Sequence, residues 1–330
     1  MSVLVTGGAG YIGSHMVWRL LDAGEEVTVL DRLSTGHDWA VPPEANLVVA
    51  DIGDQGSVEP VLKERGVDSV IHFAGSIIVP ESVSDPLGYY LNNTVKSRAL
   101  LEACVNCGVK HFIFSSTAAV YGTPERAPVS EDAELHPESP YGNSKLMTEQ
   151  MLRDASAAHG FSYAVLRYFN VAGADPGGRA GQSSRNATHL IKIATQAALG
   201  KRAGMEVYGQ DYPTPDGTCI RDYIHVSDLV EAHYLALEHL RAGGGNLVAN
   251  CGYGQGYSVL EVIDAVKKVS GVDFAVREAD RRPGDPATIV ADPAKIKAQL
   301  SWTPRHDDLS VIVNHALDWE RSLERRNTRQ

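Results

Sequence analysis

The sequence of 330 residues contains no apolar stretch as long as the roughly 20 residues that a membrane-spanning helix requires. Its first residues, MSVLVTGG, lack the basic start and the long apolar run of a secretory signal peptide. Positive charge is also scarce, because 30 lysine and arginine residues stand against 41 aspartate and glutamate residues, for a net charge of −11. Nucleic acids and anionic membranes attract basic surfaces, so we expect neither as a partner, and we expect a cytoplasmic protein.

Cysteine is scarce as well, with four residues in the whole chain. Cys104 and Cys107 form a C-x-x-C, but they lie inside a helical pattern with no second cysteine or histidine pair nearby. We therefore interpret them as helix-packing residues and predict no metal site. With 43% hydrophobic residues, a chain of this length can bury a large core without disulfides or metals to stabilise it.

Short apolar runs rich in β-branched residues alternate, in the first half of the chain, with longer segments of helical periodicity. The predicted strands are 3–5, 27–30, 47–50, 69–72, 111–115 and 163–166, and the predicted helices between them include 11–23 and 97–107. This alternation predicts an α/β fold, a Rossmann-type doubly wound parallel sheet with a smaller mixed α/β substrate-binding domain.

After about residue 170 the pattern changes, because 171–185 is rich in small and polar residues and predicts a long loop. Helices are expected at 188–199 and 226–240, and a strand at 246–251 that returns to the sheet. We assign residues 1–170 to the sheet domain, with a return of about 218–252 to it, and residues 171–330 to an interleaved second domain.

A glycine-rich turn with the spacing G-x-x-G-x-x-G lies between the first strand and the first helix. Gly7 allows the tight turn, Gly10 lets the backbone approach a pyrophosphate at the helix N-terminus, and Gly13 allows helix and strand to pack closely. Asp31 ends the second strand, 18 residues after Gly13, where a carboxylate can accept hydrogen bonds from an adenosine ribose. The carboxylate would repel a 2′-phosphate, which favours NAD over NADP, but Arg32 beside it can pair with such a phosphate. Residues 1–170 are therefore predicted to bind NAD.

The next two strands also end in residues that suit a cofactor wall. Asp51 and Ile52 follow the third strand, and Phe73, Ala74 and Gly75 follow the fourth. Because ligands of parallel sheets bind at the carboxyl ends of the strands, we expect these residues to enclose the adenine ring and the phosphates.

Tyr141 and Lys145 lie four residues apart at the start of a predicted helix, which places them on one face, one turn apart. A phenol with a pKa of about 10 is a poor base at neutral pH, but a neighbouring ammonium and the positive nicotinamide of NAD⁺ favour the phenolate. The preceding strand end supplies hydroxyl groups, of which Thr117 is predicted to bind the reacting oxygen and Tyr141. The alternatives are a solvated helix face for the pair and turn-capping roles for Ser115 and Ser116.

Several longer motifs carry a resemblance to a known family. They are TGGAGYIGSH, HFAG, ESV-x-x-P-L-x-Y-Y-x-N-N, FSST-x-x-VYG, SPYG-x-SK, LRYFN, GQDYPTPDGTCIRDYIHV-x-D and RRPGD, spread from residue 3 to about residue 300. Together they resemble the UDP-glucose 4-epimerases of the extended short-chain dehydrogenase/reductase family. The resemblance implies reversible epimerisation of UDP-glucose and UDP-galactose at C4, through a transient 4-keto sugar, by a homodimer that keeps NAD tightly bound.

The resemblance also implies a role for each matching residue. Tyr141 would be the acid and base, Lys145 its partner on the nicotinamide ribose, and Thr117 stands where many members have serine. The residues implied to line NAD are Tyr11, Ile12, Asp31, Asp51, Ile52, Phe73, Ala74, Asn92 and Phe169. Those implied to hold the UDP-sugar are Asn170, Leu190, Tyr208, Arg221, Arg282, Asp285 and Ile289. Arginines in this set suit a diphosphate, which needs cations.

A few positions leave the activity and the substrate open. Ile77 replaces a lysine that some members place near the cofactor phosphates, and His189 replaces a frequent asparagine, with a role that stays open. Ile289 would flank the sugar 2-position, where tyrosine accompanies strict glucose and galactose specificity, so an epimerase of another UDP-sugar (an N-acetylhexosamine or a pentose) is an alternative. A nucleotide-sugar 4,6-dehydratase resembles this chain but carries Asp-Glu after the threonine, whereas Ala118 and Ala119 here cannot transfer protons. A non-catalytic NAD-binding sensor is the remaining alternative.

Overall fold

The computed structural model describes residues 1–184, 187–282 and 284–327. Its strands are β1 (Ser2–Thr6), β2 (Glu26–Asp31), β3 (Asn46–Val49), β4 (Val67–His72), β5 (His111–Ser115), β6 (Ser162–Tyr168), β7 (Asn170–Ala172), β8 (Met205–Tyr208), β9 (Ile220–His225), β10 (Leu247–Cys251), β11 (Gly256–Ser258), β12 (Val276–Ala279) and β13 (Thr288–Ile289). Its helices are α1 (Tyr11–Asp22), α2 (Gln55–Glu64), α3 (Val79–Ser84), α4 (Pro86–Tyr89), α5 (Lys96–Cys107), α6 (Pro140–His159), α7 (Leu190–Ala198), α8 (Val226–Arg241), α9 (Val259–Ser270), α10 (Ala294–Leu300) and α11 (Leu309–Asn327). A π-helical segment, Tyr90–Val95, joins α4 to α5.

Seven of the described strands form one parallel sheet in the order β10-β6-β5-β4-β1-β2-β3. The strand order reverses at β1, because β2 and β3 lie on one side of it and β4, β5 and β6 on the other. Ligands of such sheets bind beyond the carboxyl ends of the strands at this reversal. The predicted Rossmann-type α/β fold is confirmed, and each strand predicted in the first half of the chain is present within two residues of its expected bounds.

Helices cover both faces of this sheet because an interior strand such as β1 is apolar on both sides. Val5 of β1 packs in a cluster with Met16 of α1 and Leu237 of α8, whereas Leu4 packs in a second cluster with Leu100 of α5. All five side chains are fully buried, and burial of each such aliphatic side chain contributes about 1.5–3 kcal/mol. The two layers fix the carboxyl edge of the sheet as a rigid platform.

A second, smaller sheet follows β6, with β9 at its centre. This strand pairs in parallel with β7 and β13 and antiparallel with β11, while β8 and β12 form a separate parallel pair. The prediction of a loop over 171–185 is wrong at its start, since β7 pairs there with Tyr223–His225 and three residues are too few to show a period. Position 185 lies outside the described residues.

The chain returns to the large sheet after β9. Helix α8 packs against α1, and β10 pairs in parallel with β6, so the predicted returning strand is confirmed. The division into residues 1–170 and 171–330 stays a prediction. Within the three described ranges, no helix combines the length and the apolar character needed to cross a membrane.

Candidate active site

The carboxyl edge of the large sheet opens into a cleft of about 460 Å³ that reaches the second sheet at β9 and β13. Most of the predicted site residues line it, and these are Gly7, Gly10, Tyr11, Ile12, Gly13, Asp31, Asp51, Ile52, Phe73, Ala74, Gly75, Asn92, Thr117, Tyr141, Phe169, Asn170, Arg221, Asp285 and Ile289. The fold therefore brings residues from across most of the chain to one place.

Four predicted residues lie outside that lining. Lys145 is buried directly behind the cleft wall, and Leu190 lines a smaller adjoining cavity of about 30 Å³. The guanidinium of Arg282 stacks 3.8 Å from the ring centre of Tyr208, whose hydroxyl donates a hydrogen bond to Glu206. These last two side chains thus contact each other rather than the cleft, because β8 ends beside the segment that precedes β13.

The glycine-rich turn has the geometry that a dinucleotide pyrophosphate needs. Gly7 adopts a φ of +73°, which L side chains rarely tolerate. A Cβ on Gly13 would lie 2.1 Å from the Gly7 carbonyl oxygen, so α1 packs on the turn at a distance that only glycine permits. Gly10 is the N-cap of α1 and has no side chain to cap it, which leaves the first-turn N–H groups directed at a ligand.

Asp31 is held in a fixed orientation at the end of β2. Its carboxylate accepts hydrogen bonds from the backbone N–H groups of Ala9, at 3.0 Å, and Leu33, at 2.8 Å. Arg32 turns away from it, since its guanidinium donates to the Ser34 hydroxyl and lies 3.5 Å from the carboxylate of Asp51. A 2′-phosphate at this end of the cleft would meet two carboxylates, which favours an unphosphorylated ribose.

The side chains of Tyr141 and Thr117 meet at the other end of the cleft. Helix α6 begins there because Ser139 caps it, accepting a hydrogen bond from Gly142 N, and Pro140 occupies its first position. Thr117 lies close enough to Tyr141 to lower the pKa of the phenol, and both side chains are buried beyond the carboxyl end of β5. The fold therefore brings the phenol and the strand-end hydroxyl to the same end of the cleft.

The electrostatics of this pair differ from the expectation in one respect. Burial raises the pKa of Tyr141, the neighbouring Tyr168 acts in the same direction, and the hydrogen bond with Thr117 opposes the shift. Burial also lowers the pKa of Lys145 to about 8, against the opposing charge of Glu149. The Lys145 ammonium donates to the Ser115 carbonyl oxygen at 3.0 Å rather than to the phenol. The protein groups alone therefore do not favour the phenolate, and the cationic nicotinamide must supply most of that effect.

A polar network behind the cleft was not predicted from the sequence. The Glu149 carboxylate accepts a hydrogen bond from Ser116 Oγ at 2.5 Å and a bidentate pair from Arg167, whose shortest N–O distance is 2.6 Å. Arg167 also donates to the Tyr121 hydroxyl, which in turn donates to the Asn250 side chain. All five side chains are buried. Only the four-residue step from Lys145 to Glu149 could have pointed to this network in the sequence.

The second sheet contributes charged side chains to the cleft wall. Arg221 and Asp285 form an ion pair at 3.2 Å on the cleft wall. His189 lines both cavities, and burial lowers its pKa, with Lys192 acting in the same direction, so its ring is neutral at pH 7. Ile77 lines the cleft with half of its surface exposed, which leaves an apolar wall at that point.

The cysteines take no part in the site. Cys104, Cys107, Cys219 and Cys251 are all free thiols, and burial raises the pKa of Cys104. The C-x-x-C therefore packs in α5 as expected. In the described parts of the chain, no group of three or more potential ligands is arranged to hold a metal ion.

Comparison with known proteins places the chain in a family. A model of the NAD dependent epimerase/dehydratase family matches residues 3–252. A UDP-glucose 4-epimerase of Azospirillum brasilense is 59% identical over 322 residues, which cover 98% of this chain and 92% of that protein. The crystal structure of UDP-glucose 4-epimerase from Brucella ovis in complex with NAD is 45% identical and superposes with a TM-score of 0.93, covering 96% of this chain and 97% of that one.

The structure of UDP-glucose 4-epimerase from Bifidobacterium longum in complex with NAD+ and UDP is 37% identical, with a TM-score of 0.93 over 98% of both chains. Near-complete coverage in both directions means that the resemblance includes the second sheet as well as the first. The chain belongs to the NAD dependent epimerase/dehydratase family, in its UDP-glucose 4-epimerase branch.

Proposed function

We propose that this chain is an isomerase that interconverts UDP-glucose and UDP-galactose at C4, through a transient 4-keto sugar and with NAD retained throughout. The observation that carries the proposal is that Tyr141 and Thr117 lie together in one cleft with the glycine-rich turn and Arg221. Such a cleft can hold a dinucleotide and a sugar nucleotide together.

The residues at the cofactor end fit NAD. A Cβ at Gly13 would close the turn, the α1 N-terminus faces the cleft, and the Asp31 carboxylate is aimed by two backbone N–H groups. Asp51, Ile52, Phe73 and Ala74 would enclose the adenine and the phosphates, with Gly75, Asn92 and Phe169 toward the nicotinamide. Bound NAD supplies a hydride acceptor and, for the return step, a hydride donor.

The proton transfers fall to Tyr141. Its phenolate takes the proton of the sugar 4-hydroxyl, and after the 4-keto sugar has turned its other face, its phenol returns a proton to the same oxygen. The reaction has no net redox change because the hydride that bound NAD would accept from C4 is the one it would give back. Thr117 holds the reacting oxygen beside the phenol. Because burial raises the pKa of Tyr141, the group returns readily to the protonated state once the positive charge nearby is lost.

The UDP end is assigned to the second sheet. Arg221 would pair with the diphosphate and is kept in place by Asp285. Asn170 follows β6 into the cleft, and Leu190 begins α7 beside it. The stacked side chains of Arg282 and Tyr208 offer a planar surface at the outer end, which we assign to the nucleotide.

One alternative substrate is favoured by a specific observation. Ile289 lines the cleft near the sugar position, and it is smaller than the tyrosine expected of a strict enzyme. The UDP-Glc/GlcNAc 4-epimerase of Campylobacter jejuni is 48% identical, with a TM-score of 0.85 over 97% of this chain and 99% of that one. Some turnover of an N-acetyl sugar nucleotide is therefore included in the proposal. A dehydratase is disfavoured because Ala118 and Ala119 line the cleft without a proton donor.

The decisive experiment is to incubate purified protein with UDP-galactose and no added cofactor, and to identify the product. Formation of UDP-glucose is expected, whereas a 4-keto-6-deoxy sugar would indicate a dehydratase. No product from UDP-galactose or from any other UDP-sugar would indicate a sensor. Tyr141→Phe should lose nearly all turnover but keep the fold and the bound NAD. A variant that retained most of kcat would remove Tyr141 from the proton transfer.

We further propose a homodimer, built on an exposed apolar face. Leu87, Leu91 and Val95 recur every four residues along the continuous helical segment from α4 to α5, and Met147 lies on the adjacent α6. Exposed apolar patches of this kind mark protein interfaces, and two copies of the face would cover each other. Leu91→Asp should give monomers in sedimentation experiments, whereas Val49→Asp, at an exposed valine on the edge strand β3, should not. A cytoplasmic location stays a prediction of the sequence.

A further inference from the structure

Helix α6 carries a third buried ionisable residue besides Tyr141 and Lys145. Glu149 lies four residues after Lys145, so the two side chains share one face of the helix about 5–6 Å apart at their Cβ atoms. Both are almost fully buried, Lys145 at 3% and Glu149 at 7% exposure. A buried ammonium is costly unless an anion lies close to it.

Glu149 is also hydrogen-bonded to the strand end that carries the hydroxyl groups. Its carboxylate accepts a hydrogen bond from Ser116, which stands in the chain between Ser115, whose carbonyl binds Lys145, and Thr117, whose hydroxyl lies near Tyr141. The Glu149 carboxylate is thus bonded to the strand end between the two residues that face Lys145 and Tyr141.

We propose that Glu149 is a positioning residue for the reaction: it holds Lys145 in its charged form and fixes the strand end that presents Thr117 to Tyr141. The inference rests on the proposed function, because it presumes that a charged Lys145 is needed for turnover. Arg167 orients the Glu149 carboxylate through a bidentate pair of hydrogen bonds.

The groups around Lys145 in the described chain come from three elements. They are His72 on β4, Tyr141 and Glu149 on α6, and Arg167 on β6, paired with Glu149. Burial and the Lys145 charge lower the pKa of His72 to about 3, so this histidine stays neutral over the working pH range. Burial lowers the pKa of Lys145 to about 8 even with Glu149 present. Loss of the carboxylate charge would therefore discharge Lys145 near neutral pH.

The test compares the pH dependence of kcat, from pH 6 to 10, in variants that alter the pair in opposite senses. The basic limb, meaning the fall of kcat at high pH, should report the loss of the proton from Lys145. Glu149→Gln removes the anion, so the basic limb should move to lower pH by about one unit or more. Arg167→Gln leaves the anion without its partner cation, so the limb should stay in place or move to higher pH. A merely structural role would lower kcat equally at every pH in both variants.

Two further variants keep the test decisive. Ser116→Ala removes a hydrogen bond to the same carboxylate without changing charge, so kcat should fall while the basic limb stays in place. Glu149→Gln leaves a buried arginine unpaired and can fail to fold. The double variant Glu149→Gln/Arg167→Gln carries neither charge and should still show a lowered limb.

Three outcomes would overturn the proposal. The first is a basic limb at the wild-type pH in a folded Glu149→Gln variant. The second is the same result in the double variant, if the single variant does not fold. The third is a basic limb at lower pH in Arg167→Gln. Lys145→Met, run in parallel, separates this from the proposed function. Wild-type turnover in that variant would mean that Lys145 itself is dispensable, whereas loss of turnover with an unmoved Glu149→Gln limb would reject Glu149 alone.

Discussion

We predict that Ile289 limits how large a sugar substituent the cleft accepts, and replacing this side chain tests that prediction. The side chain is 7% exposed, lines the cleft, and packs in a core cluster with Ala118, Phe169 and Ala291. In β13 it pairs with Arg221 of β9, so its backbone is fixed by the strand that carries the arginine we propose for the diphosphate. A β-branched side chain is stiff about χ1 and cannot swing aside. An N-acetyl group must therefore displace the isoleucine and its neighbours.

Overpacking of this kind typically costs about 1–3 kcal/mol, which corresponds to about 5–150-fold in kcat/KM. We expect the unaltered protein to turn over UDP-N-acetylglucosamine with an efficiency lower than that for UDP-glucose by this factor. Ile289→Ala should narrow the gap and cost about 2–3 kcal/mol of unfolding free energy, at the low end for core truncations because one side already faces the cleft. Ile289→Tyr should abolish activity on the N-acetyl sugar and spare UDP-glucose.

The assay measures kcat/KM for both sugar nucleotides in each variant, with urea unfolding alongside. Ile263→Ala is the matched control, because Ile263 is a buried isoleucine of α9 in a different core cluster. It should lose a similar amount of stability and leave the ratio of the two efficiencies unchanged. Equal efficiency on both sugars in the unaltered protein, or an unchanged ratio in Ile289→Ala, would refute the reasoning.

Three further predictions concern the cofactor and the stability of the fold. Denaturation of the purified protein should release NAD(H) with little NADP, since Asp31 faces the ribose; mainly NADP would contradict that assignment. Gly13→Ala should leave almost no bound NAD, because its Cβ would lie 2.1 Å from a carbonyl oxygen, whereas Gly245→Ala, with open space around it, should bind NAD normally. Glu320→Gln should cost about 3–5 kcal/mol of unfolding free energy, since it strands the buried ammonium of Lys192; Lys192→Met should cost less, because another lysine still pairs with Glu320. Equal losses in urea unfolding of these two variants would count against that account.

The fold and the cofactor end could be predicted because their signals are local. A strand such as β1 is recognised from a short run of β-branched residues, and the glycine-rich turn is recognised from three glycines at fixed spacing. The pair of Tyr141 and Lys145 was visible for the same reason, since four residues make one helical turn. Family resemblance extended this to Arg221 and Ile289, which line the cleft.

Contacts between distant segments could not be predicted. Glu149 and Arg167 are 18 residues apart and meet only because α6 packs beside β6. The stacking of Arg282 on Tyr208 depends on the pairing of β8 with β12, and the hydrophobic periodicity of a sequence does not predict which strands pair. The raised pKa of Tyr141 also escaped prediction, because it depends on burial by the whole cleft rather than on the charge one turn away.

The path of the chain between the two sheets limits how the enzyme can move. The chain leaves the large sheet after β6, comes back through α8 and β10, and leaves again at β11, with side chains such as Tyr11 bonded across the junction to the Gly173 carbonyl. Because the chain crosses several times between the two sheets, the sheets cannot move apart by rotation about a single hinge. We therefore expect sugar nucleotides to exchange through small loop displacements at the rim, and the cofactor to dissociate far more slowly than one catalytic cycle. NAD would behave as a prosthetic group, and a 4-keto sugar could be reduced only by the same cofactor molecule that took its hydride.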